Sequence, residues 1–81
     1  MYVGAIHTIN NPDAWTRLIT DFDRSTLPEG VELLSTGTSE DIRRAVCIWR
    51  GPSVEALQTM LDQQLADTSI NDCFALADST R

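Results

Sequence analysis

The chain has no lysine, one histidine, two cysteines and only five aromatic residues among its 81 positions, and each shortage closes off a class of function. Six arginines face twelve acidic residues, a formal net charge of −6. Such a surface repels phosphate backbones and anionic headgroups, so neither nucleic acid nor a membrane is an expected partner. No apolar run approaches the roughly 20 residues that span a bilayer, and no charged leader precedes an apolar segment at the N-terminus; the expected location is the cytoplasm. Cys47 and Cys73 lack the C-x-x-C spacing of a zinc ribbon or redox pair, and read as free thiols. No glycine-rich phosphate loop and no G-x-S-x-G elbow is present, a single histidine cannot build a two-histidine site, and no motif names a cofactor.

What is present is an order of elements. Tyr2 to Ile9 is rich in β-branched residues and stops at Asn10-Asn11-Pro12, so it reads as a strand. Asn11 is a suitable N-cap and Pro12 loses no hydrogen bond at the first helical position. Trp15, Leu18, Ile19 and Phe22 then recur at helical spacing, predicting an amphipathic helix to about Asp23. Leu27-Pro28-Glu29-Gly30 is turn chemistry before a strand from Val31 to about Thr36. The polar stretch Gly37 to Asp41 leads to an apolar strand, Arg44 to Trp49, and the pair makes a hairpin. Gly51-Pro52-Ser53 opens a second helix, Val54 to Asp67, with Val54, Leu57, Met60, Leu61 and Leu65 as its buried stripe. A last strand, Ile70 to Ala77, and a fraying polar tail, 78–81, complete one domain over residues 1–81.

The order βαββαβ is the split βαβ of the ferredoxin-like α+β fold: an antiparallel sheet in the order 4-1-3-2 with two helices on one face. Folding a chain this short buries only about 60 to 65% of its surface, so association would add needed stability. The first and third strands are apolar on both faces. Matching the helix stripes to Ile6, Leu33, Val46, Ile48, Phe74 and Leu76 leaves Val3, Ala5, His7, Ile9, Ala45, Cys47, Trp49, Cys73 and Ala75 on an open face. That patch is too apolar for a soluble monomer, and a homodimer is expected to cover it.

Three short stretches carry a resemblance: Ala5-Ile6-His7 on the first strand, Ala45-Val46-Cys47-Ile48-Trp49 on the third, and Gly51-Pro52-Ser53 at the second helix. The chain resembles small bacterial proteins of the dimeric α/β-barrel superfamily. That likeness implies two ferredoxin-like sheets packed face to face around a shared interior that holds a small organic molecule or, in some members, a divalent metal such as nickel. The second helix here carries no histidine, where the metal-binding members have theirs. Met1 to Ile6 also resembles the first strand of an RNA-recognition motif, but Arg43 to Arg50 has neither the glycine nor the paired aromatics that stack bases.

Any chemistry centres on His7, the one side chain that titrates near neutrality unaided. In a 4-1-3-2 sheet it lies across from Ala45 on one side and beside Asn71 or Cys73 on the other, with Cys47 diagonal. His7, Cys47, Trp49, Asn71 and Cys73 are therefore the candidate ligand-binding residues, Trp49 as a pocket wall. Three functions are consistent with them. One is a homodimer holding a small organic ligand or metal ion in its sheet-lined interior. Another, by analogy with cofactor-free monooxygenases and isomerases among similar barrels, is an enzyme with His7 as acid or base and Asn71 orienting it. The third is a structural dimer with a packed seam, where His7 is a satisfied interface residue and the cysteines are small hydrophobes.

Overall fold

The computed structural model describes residues 1–77; the polar tail expected at 78–81 lies outside them. Strand β1 (Tyr2–Ile9), helix α1 (Pro12–Asp21), a 3₁₀ turn (Arg24–Thr26), strands β2 (Glu32–Thr38) and β3 (Arg44–Arg50), helix α2 (Val54–Gln64) and strand β4 (Ser69–Leu76) follow in chain order. The four strands form one antiparallel sheet in the order β2-β3-β1-β4, which is 4-1-3-2 read from the other edge. The architecture is α+β and compatible with a ferredoxin-like fold.

The helices start where the sequence says. The Asn11 side chain accepts from the Ala14 N–H with Pro12 in the first turn, and the Ser53 hydroxyl accepts from the Ala56 N–H. Both end earlier than their apolar periodicity suggests. After α1 the chain leaves helical geometry at Phe22, and Asp23 caps the 3₁₀ turn by accepting from the Ser25 N–H and hydroxyl. After α2 the Leu65 and Ser69 N–H groups both bond the chain at the helix end, turning it directly into β4.

Strand β2 runs two residues past the expected Thr36, because the hairpin is closed further out. The Ser39 N–H bonds the Arg44 carbonyl, and the Ser39 hydroxyl accepts from the Arg43 and Arg44 N–H groups while donating to Asp41. Ile42 takes a left-handed φ of 55° to complete the turn, a rare posture for a β-branched residue.

A β-bulge at Leu34 has a larger consequence. Leu33 pairs with Trp49, but Ser35 pairs with Ile48, so one extra residue is absorbed in β2. Beyond it the alternation flips, and Thr36 and Thr38 pair with Cys47 and Ala45 instead of facing the other way.

The assignment of sheet faces is the reverse of the sequence expectation. Val3, Ala5, His7, Ile9, Ala45, Cys47 and Trp49 lie beneath the helices and are buried, together with Leu33, Trp15, Leu57, Leu61 and Leu65. Ile6, Val46, Ile48 and Phe74, expected in the core, are exposed on the opposite face. The physical reason is volume. Two tryptophans and the leucines of α2 fill the space between the layers, so the strands beneath them carry Ala5, Ala45 and Cys47, while the larger branched residues go to the side no helix occupies. No helix among the described residues is long and apolar enough to cross a membrane.

Candidate functional site

α1 covers the sheet incompletely. Trp15 is its only buried side chain, held by a hydrogen bond from its Nε1 to Thr38 Oγ1 (3.1 Å), while Leu18 and Ile19 of the same stripe are 39% and 43% exposed. A cleft of about 70 Å³ therefore opens between α1, α2 and the sheet. Leu18, Ile19, Phe22, Leu61 and Leu65 wall it; its floor comes from the sheet, with His7, Cys47, Thr36 and Trp49.

The floor is polar, and its hydrogen bonds run in one line. His7 is fully buried, its ring 5.1 Å from that of Trp15. Its Nδ1 lies 2.7 Å from Asn71 Oδ1, across the β1–β4 pair that the register places side by side. Asn71 Oδ1 also accepts from Ser69 Oγ (2.8 Å), and Asn71 Nδ2 donates to Asp62 Oδ1 (3.2 Å), which fixes the amide orientation. With Oδ1 the acceptor, Nδ1 of His7 carries the proton and Nε2 presents a lone pair. Facing that lone pair is Cys47 Sγ at 3.2 Å, and Thr36 Oγ1 lies 3.3 Å beyond on the same sulfur.

Electrostatics keep this chain neutral. Burial lowers the His7 pKa from its ordinary value, and the Asn71 hydrogen bond only partly opposes that shift. Burial likewise raises the Cys47 thiol, against a smaller opposing effect of Thr36. The resting pair is imidazole and thiol rather than an ion pair. Trp49 adds a distinct feature: it is 4% exposed, and its indole N–H is buried without a hydrogen-bond partner among the described residues.

The five sequence candidates divide accordingly. His7, Cys47 and Asn71 are hydrogen-bonded to one another, and His7 faces Ala45 and Asn71 as the sheet order implies. Trp49 lines the same cleft, and Arg50 after it pairs with Glu32 at 2.7 Å. Cys73 does not join them. It lies alongside α2, its N–H bonded to Gln58 Oε1, and its thiol is pushed up to about 11, by burial first and then by the negative charges of Asp62 and Asp72. All five belong to the helix side, so none lines a sheet-to-sheet interior, because the small residues around them are the ones the helices cover.

Sequence reading missed Thr36, Ser69, Gln58 and Asp62. Only the bulge brings Thr36 to Cys47, and no local signal announces it. Asp62, read as a solvated carboxylate, accepts from both Asn71 and Gln58 and so braces the amide that orients His7. A sharper sequence cue existed for Ser69: two residues before Asn71 on a strand, it shares the face of Asn71 and reaches its side chain.

Among the described residues no three His, Cys, Asp or Glu side chains converge as metal ligands would. Comparisons with protein-family models, with curated proteins and with solved structures find no match to this chain.

Proposed function

We propose that the protein is a small binding module whose ligand is a neutral, mainly apolar molecule with one hydrogen-bond acceptor, such as a ketone or ester, seated between α1 and the sheet. The observation that carries this is that Trp49, which lines the cleft, keeps a buried indole N–H without a hydrogen-bond partner among the described residues. A buried donor left unpaired costs about 1 to 3 kcal/mol, which an acceptor on a ligand would recover. The ligand is uncharged because no arginine among the described residues lines the cleft, and an unpaired charge there would cost more than the contact returns. It is also small. A cavity of about 150 Å³ accepts benzene, so about 70 Å³ admits a compact head group unless α1 shifts outward on its single buried anchor, Trp15.

The protein is also proposed to be a homodimer, through the face of the sheet that the helices leave bare. Ile6, Val46, Ile48 and Phe74 form its apolar centre, with the Phe74 ring packed against Gly4, where a Cβ would meet it at 2.8 Å. Arg44, Asp72 and the Arg50–Glu32 pair border it, so the rim carries both signs of charge. A second copy meets this face about a twofold axis, apolar centre on apolar centre. This keeps the dimer expected from the sequence and moves the ligand out of the seam.

Both tryptophans line the cleft, so intrinsic fluorescence reports its occupancy. Titration with 2-hexanone should change the emission saturably, with a Kd on the order of 0.1 to 1 mM for a ligand of this size. Hexanoate, of the same length but charged, should leave it unchanged. Equal responses to both, or none to the ketone, would remove the proposal.

A further inference from the structure

The floor of the cleft is more than a satisfied polar group. Cys47 Sγ faces the unprotonated Nε2 of His7 at 3.2 Å, and Nδ1–H of His7 is held at 2.7 Å by an Asn71 amide that Ser69 and Asp62 fix in turn. A nucleophile, a base and a group orienting the base stand in sequence, the arrangement used by thiol acyl-transfer sites on unrelated folds. Trp49 lines the same cleft, and its buried indole N–H has no hydrogen-bond partner among the described residues.

We propose that Cys47 is a nucleophile that accepts the acyl group of a neutral, apolar ester or thioester, with His7 as the base and Asn71 as a positioning residue. The proposal rests on the cleft being the ligand site. As the Cys47 sulfur bonds to the carbonyl carbon, its proton passes to His7 Nε2 and the carbonyl π electrons move to oxygen. Collapse restores the C=O, breaks the bond to the leaving alcohol or thiol, and returns the proton from Nε2 to that group. Water then attacks the acyl-Cys47 thioester, giving its proton to Nε2; the C–S bond breaks and the sulfur regains the proton. The net reaction is ester plus water to acid plus alcohol, with no oxidant or reductant. The acid product ionises at neutral pH, and a cleft without a counter-charge releases it.

The two cysteines make the test internally controlled. Cys73 is the more exposed thiol but has no histidine beside it and a thiol held protonated up to about 11, so selectivity for Cys47 counts only together with its loss in His7→Gln. Treated with p-nitrophenyl acetate, the intact protein should release p-nitrophenol in a burst of one per chain, with peptide mass spectrometry placing the acetyl group on Cys47 at least tenfold over Cys73. His7→Gln should slow Cys47 acylation at least tenfold. The wild-type rate should rise with pH as His7 loses its proton, and Asn71→Ala should move that midpoint to lower pH, because the lost hydrogen bond favoured the protonated ring. Acylation of Cys73 in preference to Cys47 would overturn the proposal whether or not the variants fold. Saturable 2-hexanone binding without acylation of Cys47 would overturn the nucleophile and leave the binding site standing; failure of both would overturn both.

Discussion

Acidification from pH 7 to pH 5 should destabilise the fold through His7. The ring is fully buried, and burial holds its pKa below the ordinary value, so in this range the unfolded chain binds a proton that the folded chain refuses. Stability therefore rises with pH up to about 6.5 and falls below it, by at most about 1.4 kcal/mol per pH unit. A folded ring that stayed neutral throughout would set the upper bound of this loss, about 2 kcal/mol at pH 5. That is a large share of the total for a chain of this size, whose stability is of order 4 to 12 kcal/mol. There is no second histidine in the chain to share the effect. Urea melts by circular dichroism at pH 7, 6 and 5, at one protein concentration, should show the midpoint falling, by no more than about 2 M in all for a slope near 1 kcal/mol/M. His7→Gln should flatten the dependence. An unchanged or rising midpoint in the wild type would refute the neutral, desolvated histidine and with it the assignment of protons along the Cys47–His7–Asn71 line.

Other outcomes follow from the same packing. Val46→Asp, on the bare face, should split the proposed homodimer without unfolding the chain, whereas Ala45→Asp, 2% exposed beneath the helices, should cost of order 3 to 5 kcal/mol; sedimentation and thermal melts separate the two. Asn71→Leu should destabilise by about 1 to 3 kcal/mol in a urea melt, since the His7 N–H and the Ser69 hydroxyl both lose their acceptor. Trp15→Ala should cost about 3 to 5 kcal/mol and speed hydrogen exchange in α1 more than in α2, because Trp15 is the one side chain α1 buries. Above about pH 9 stability should decline again, as the unfolded chain ionises thiols that the folded chain keeps protonated at Cys47 and Cys73.

The order of elements was legible because each boundary carries its own chemistry. Asn11-Pro12 and Gly51-Pro52-Ser53 start helices, and Pro28 with Gly30 prepares β2. From that order the sheet pairing follows, and with it the meeting of His7 with Ala45 and Asn71. The faces were not legible, because β1 and β3 are apolar on both sides and alternation alone does not choose between them. Assigning the bulkiest residues to the core is a sound habit that fails here, since Trp15 and Trp49 already occupy the space and the strands between them need small side chains. Thr36 stayed hidden for another reason: a bulge shifts every later residue of its strand to the other face, and Leu33-Leu34-Ser35 gives no sign of where the extra residue goes.

The proposed ligand supplies an acceptor to the indole N–H of Trp49, which has no partner among the described residues. A ¹⁵N-labelled sample has two indole signals, one from Trp15, already bonded to Thr38, and one from Trp49, unpaired. Addition of 2-hexanone should move the Trp49 indole proton downfield to a saturating limit, by more than it moves that of Trp15. A Trp49 indole signal that stays in place at saturating ketone, or one already at a hydrogen-bonded shift in the free protein, would contradict the account.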